Sequence, residues 1–187
     1  MGLKIHTVGG SGSGTTTLAQ ALAQQMGFQH FDTDHYYWQK TDPPFTHKVP
    51  ISDRIKNLKK DLNAQDSWVL SGSLVSWGSE IAELFTSVVF ICIPSEVRMK
   101  RLEERERIRH GDRIKPGGDM HQTHQEFLVW AAQYDDVNFN GRSRVLHEQW
   151  LQKLNCPIVR IENEMSVEEE VRYVLQNQFE PKLHGCT

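Results

Sequence analysis

The chain has 187 residues, 21 Lys plus Arg against 24 Asp plus Glu, and a formal net charge of −3. That length suits one domain with a real core, and the mild acidity argues against a general nucleic-acid binder. No run of eighteen apolar residues marks a membrane span, the first residues lead into a strand rather than a signal peptide, and three scattered cysteines form no disulfide framework, so the cytoplasm is the expected location.

Leu3–Val8 is predicted as the first strand, and it runs into Gly9-Gly-Ser-Gly-Ser-Gly-Thr-Thr. A helix is expected over Thr16–Met26, with Leu18, Ala21, Leu22 and Met26 on one face. Strand, glycine loop and helix together aim backbone N–H groups and a helix N-terminus at one anion. The phosphate-loop pattern G-x-x-x-x-G-K-[ST] matches at Gly9, Gly14 and Thr16, but Thr15 stands where the lysine belongs. Gly9, Gly10, Ser11, Gly12, Ser13, Gly14, Thr15 and Thr16 are therefore the expected nucleotide cradle, with Thr16 as a Mg²⁺ ligand. The competing dinucleotide fingerprint G-x-G-x-x-G starts at Gly10 and Gly12 but lacks its third glycine at Thr15.

The second predicted strand, Phe28–Phe31, leads into Asp32-Thr-Asp34. Alternation along an extended chain would point both carboxylates the same way. Asp32 is expected in the Mg²⁺ shell, and Asp34 at the acceptor hydroxyl as base or orienter. The alternative is that they cap the next turn. Aromatics at 36–38 and a proline-rich stretch at 41–50 follow, as an acceptor wall or a loop packed on itself. Arg54, on a helix expected at Ile51–Ala64, is a possible further charge.

Strand three, Trp68–Ser71, ends in Ser-Gly-Ser without a carboxylate. A short helix is expected at Glu80–Phe85, and the unalternated run Val88–Ile93 reads as a strand buried on both faces, with Cys92 in the core. In the helix predicted over Ser95–His110, Arg98, Arg101, Arg105 and Arg109 share a sector about 80° wide. Guanidinium groups match phosphate oxygens, so this stripe, leading into Arg113, Lys115 and Pro116-Gly-Gly, is expected to serve a lid over about residues 109–120. Its arginines would replace the lost lysine charge. Further helices are expected at His121–Val137, Arg144–Leu154 and Val167–Gln178, and a fifth strand at Ile158–Ile161. Ser52 and Ser95 are candidate N-caps, and Ser166 with Glu169 has capping-box spacing. Arg142 and Arg144 form a second basic pair, for phosphate or for helix ends. His121 and His124 lack the third ligand that a metal site needs. The alternation of strands and helices argues for an α/β layered fold with a mainly parallel sheet.

GGSGSGTTTLAQALA, HFDTDHYYW, WVLSGS and VVFICIPSEVRMKRLEERERIR with RIKPGGDM, taken in order, resemble the small-molecule P-loop kinases of the adenylate-kinase-like group, shikimate and gluconate kinases among them. The resemblance implies a single three-layer domain over residues 1–187, with a five-stranded parallel sheet in the order 2-3-1-4-5. It implies ATP or another nucleoside triphosphate with Mg²⁺ on the first loop, and a small-molecule acceptor beside the second strand. By similarity Arg101 packs on adenine, Arg105 contacts phosphates, and both join Asp34 as catalytic residues. Thr15 departs from the group's loop. The expected function is ATP-dependent phosphoryl transfer to a small-molecule hydroxyl; the alternative is a regulatory nucleotide-binding module, inactive or slowly hydrolytic.

Overall fold

The computed structural model describes residues 2–177. Five strands, β1 (Lys4–Gly9), β2 (Gln29–Asp32), β3 (Trp68–Ser71), β4 (Ser87–Ile91) and β5 (Ile158–Ile161), form one parallel sheet in the order β2-β3-β1-β4-β5. The register pairs Thr7 with Ser71 and Gly9 with Ile91. The phosphate-loop segment therefore leaves the sheet at its carboxyl edge, beside the ends of β3 and β4. Cys92 lies just past β4 and is half-buried rather than in the strand core.

Helices cover both faces, as a parallel sheet requires. On one face α1 (Thr15–Met26) and α8 (Val167–Asn177) bury Leu18, Leu22 and Val174 against Ile5, Val69 and Val89. On the other, α3 (Ile51–Asn63), α4 (Ser79–Ala82) and α7 (Arg144–Leu151) pack Leu58, Leu62, Ile81 and Leu151 against Trp68, Leu70 and Phe90. α5 (Ser95–His110) and α6 (His121–Ala132) follow β4, separated by a 3₁₀ turn at Gly111–Ile114, and a second such turn follows α6 at Gln133–Asp135. A one-turn helix, α2 (Asp34–Tyr37), stands where the sequence suggested only a turn. The helix predicted at Glu80–Phe85 is shorter than its pattern, closing at Ala82, and Gln178 and Cys186 lie outside the described residues.

Local signals account for most helix ends. Gly27, at φ 68°, terminates α1, and the Phe28 N–H bonds back to Ala23 O at 2.9 Å, a Schellman closure. At α8 the capping box is complete: Glu169 N–H reaches Ser166 Oγ at 3.3 Å, and Ser166 N–H reaches a Glu169 carboxylate oxygen at 2.8 Å. Ser52 and Ser95 are not caps. Pro50 and Pro94 occupy those positions, and the serines fall inside α3 and α5. A proline with extended ψ sets the entry direction of each helix without needing a side-chain acceptor.

Candidate active site

The loop between β1 and α1 is held open by its glycines. Gly12 and Gly14 lie at φ 82° and 101°, a region costly for any residue with a β-carbon. A β-carbon on Gly12 would also collide with the main-chain oxygen of Arg98, where α5 packs against the back of the loop. No side chain caps α1, which leaves the first-turn N–H groups at the loop without a side-chain acceptor. Thr7 Oγ donates to Thr15 O at 3.0 Å and ties the loop's end to β1. The arrangement fits a polyphosphate: open amides, a positive dipole end and close backbone approach.

Thr16 and Asp32 meet across this cleft, Thr16 Oγ donating to Asp32 Oδ2 at 3.1 Å. Asp32 Oδ1 accepts the Asp34 N–H at 2.9 Å. The pair comes together differently from the alternation argument. β2 stops at Asp32, Thr33 is helical (φ −58°, ψ −29°), and Asp34 opens α2. A turn, not an extended strand, sets the two carboxylates side by side, and Asp32 performs the capping that was the alternative reading while keeping its second oxygen for Thr16. Two hard oxygen donors at a phosphate cradle suit Mg²⁺, which takes few protein ligands and completes its shell with phosphate and water. Among the described residues no cluster of three His, Cys, Asp or Glu forms a metal site, the His121–His124 region included.

Asp34 is open to cleft water, yet protein surrounds it closely enough to matter. Burial raises its pKa first, and the neighbouring Asp32 charge raises it further; Arg142, Arg105 and His35 pull the other way. Next to it, Gly72 (φ 102°) closes β3 so tightly that a β-carbon there would strike Thr33 Oγ. Arg54 is buried and used locally: its Nε donates to Val49 O at 2.6 Å and its guanidinium covers the Tyr37 ring at 3.8 Å, pinning the proline-rich loop.

The arginine stripe of α5 divides. Arg98 is fully buried and serves packing: it donates to Ser11 O at 3.2 Å and to Asp135 at 2.6 Å, over the ring of Tyr134. It is thus a strut behind the loop rather than part of an exposed basic face. Arg101 places a guanidinium nitrogen 3.8 Å from where a β-carbon on Gly14 would lie, and it pairs with Glu164 at 2.9 Å. Arg105 chelates Glu106 at 3.0 and 2.8 Å, so the two signs are less separated than the helical wheel suggested. An open groove runs beside Val97, Arg101, Arg105, Ile108 and Glu164. The segment after α5 folds on itself: Met120 N–H bonds Arg113 O at 3.0 Å, and Arg113 holds Asp119 at 2.6 Å and Asp42 of the proline-rich loop at 2.7 Å.

Arg142 is the residue whose place spacing did not fix. Its Nη2 donates to Ser11 Oγ at 2.9 Å, and its guanidinium lies over Trp130 at 4.9 Å. Ser143 caps α7 by accepting the Leu146 N–H at 3.3 Å, and His147, one turn on, bonds Tyr134 OH at 2.7 Å and Ser73 Oγ at 2.9 Å. Those contacts bring Arg142 to the loop from more than a hundred residues away; Arg144, two residues on, is exposed at the start of α7.

No family profile matches the chain. A curated protein from Bacillus subtilis (strain 168), the uncharacterized protein YqaC, is 43% identical over 171 residues, covering 91% of this chain and 94% of that one. Among solved structures, a shikimate kinase from Acinetobacter baumannii in complex with shikimate superposes with TM-score 0.54 at 16% identity, over 94% of this chain and 92% of the other. A gluconokinase from Sinorhizobium meliloti 1021 gives TM-score 0.53 at 18% identity, over 94% and 91%. The strand order and layering match these neighbours, and the fold is that of the P-loop shikimate and gluconate kinases.

Proposed function

The chain belongs to the family of Bacillus subtilis YqaC, and from that premise we propose that it is a phosphotransferase, moving the γ-phosphoryl of ATP to a hydroxyl of a small, soluble acceptor in the cytoplasm. The observation that carries the reading is the contact of Thr16 with Asp32, which in turn holds Asp34. A passive nucleotide binder would need the loop, but it would have no use for a second carboxylate of raised pKa on the acceptor side.

In this reading the amides of residues 9–16 hold the triphosphate, and Thr16 and Asp32 would hold Mg²⁺, which neutralises charge on the phosphates. The adenine end follows the groove along Arg101, while Arg105 turns from Glu106 towards phosphate. Asp34 orients the acceptor hydroxyl and takes its proton as the oxygen bonds to the γ-phosphorus; the bond to the bridging oxygen breaks and its electron pair leaves with ADP. Desolvation makes Asp34 a stronger base than a free carboxylate. The segment at about 109–120, joined to the acceptor loop through Arg113 and Asp42, acts as the lid of this single domain.

The test is ADP release from Mg·ATP across a panel of nucleosides, sugars and small hydroxy acids. Acceptor-stimulated turnover supports the kinase. Tight nucleotide binding that no acceptor stimulates would instead assign the regulatory role that the missing lysine favours.

A further inference from the structure

Losing the loop lysine removes a cation from the point where charge builds during transfer, and the fold offers few replacements. Arg98 is buried against Asp135, and at rest Arg101 and Arg105 are drawn to Glu164 and Glu106, away from the point of transfer. Arg142 differs in that, among the described residues, no carboxylate forms an ion pair with it; its Nε, like that of Arg98, is sealed from water without a partner. A guanidinium held this way is costly unless an anion joins it.

Its position says which anion. Arg142 touches Ser11, the third residue of the donor loop. Asp34 and Tyr37 are near enough to feel its charge. In the kinase reading, the phosphoryl group passes between Ser11 of the donor loop and Asp34. Trp130 beneath the guanidinium and the Ser143 cap behind it fix its plane, so little ordering is left to complete when the group arrives. A planar donor fork also meets phosphoryl oxygens in bidentate fashion, which a loop lysine does not.

We propose that Arg142 is the catalytic substitute for the loop lysine, its guanidinium binding the phosphoryl group in flight between Ser11 and Asp34. This rests on the kinase reading above and adds to it a charge supplied from the α6–α7 connection rather than from the loop or from α5.

The experiment measures calorimetric affinity for Mg·ADP and for Mg·ADP with aluminium fluoride, a mimic of the transferring phosphoryl that needs no acceptor. The proteins are the wild type, Arg142→Gln, Arg142→Lys, and Arg142→Gln combined with Thr15→Lys. We expect Arg142→Gln to weaken the aluminium fluoride complex at least a hundredfold while ADP affinity changes less than threefold. Arg142→Lys should stay within tenfold of wild type, and Thr15→Lys should restore most of what Arg142→Gln loses. Equal loss of both ligands in Arg142→Gln, or no loss of either, overturns the proposal, as does a double variant no better than the single one. If the wild type binds neither ligand, the kinase reading itself falls; if it binds both and Arg142→Gln behaves like it, only the role of Arg142 falls.

Discussion

In the proposed reaction, Asp34 is the residue on which the transfer chemistry turns. It sits at the start of α2, its N–H anchored on Asp32 and its own carboxyl left to the cleft. Replacing it with Asn keeps the shape and the anchoring N–H but removes the base. Asp34→Asn should therefore abolish acceptor-stimulated ADP release while leaving Mg·ATP affinity within a few-fold, as read by calorimetry; full turnover would remove Asp34 from the mechanism. Because burial raises its pKa, turnover should climb with pH as the carboxyl loses its proton, and that limb should vanish in the same variant. Arg101→Ala and Arg105→Ala free Glu164 and Glu106 from their present partners and take a cation from the cleft. Each is expected to lower kcat/KM for Mg·ATP at least tenfold, about 1.4 kcal/mol. Wild-type kinetics in both would confine the arginines to surface pairing.

Among the elements, α8 and α5 show how differently a helix begins. α8 carries its own start signal: the Ser166–Glu169 box satisfies two amides that the helix would otherwise leave open. Ser166→Ala should cost about 1 kcal/mol of stability in a urea titration. A neutral result would mean the helix is held by Val171 and Val174 alone. α5 has no such side-chain cap and is located from outside, by Pro94 and by Arg98 locked onto Ser11 O and Asp135. The same lock explains the glycine at position 12, where α5's main chain leaves no room for a β-carbon. Loop and helix are thus one packing unit, and the helix that carries Arg101 and Arg105 inherits its alignment from Arg98 behind the loop.

The whole molecule carries opposing acid and base liabilities. His6 and His147 are buried, and desolvation holds both pKa values down to about 3. Each stays neutral in the fold, whereas the unfolded chain takes up a proton below the ordinary value of 6.5. Their stabilising contribution is therefore present above pH 6.5 and is lost as pH falls towards 3. Glu170 runs the other way: burial pushes it up to about 7, against the pull of Arg101. Its folded state keeps a proton that the unfolded chain releases above 4.5, so its contribution is full below that value and is lost as pH rises through 7. Glu170→Gln should raise stability at pH 8 by about 2 kcal/mol and leave it nearly unchanged at pH 4, followed by thermal melts at both. A variant no more stable at pH 8 would show that Glu170 ionises in place without cost.

The sequence by itself determined the strands, the order of the segments and the glycine loop between β1 and α1, because those depend on local properties: unbroken apolar runs, glycines with positive φ, and a hydroxyl at the head of a helix. The β3 and β5 bounds and the α8 capping box follow directly from such neighbours. Tertiary structure alone decided which charges meet. Asp32 and Asp34 are paired by a turn that strand alternation does not describe, Arg98 leaves the basic stripe for the core, and Arg142 reaches Ser11 across 131 positions of chain. Periodicity assigns a residue to a face of its own element, but the partner of a charged side chain is set by which elements pack together and how deeply. That information resides in the assembled sheet and its helices, and no window of sequence contains it.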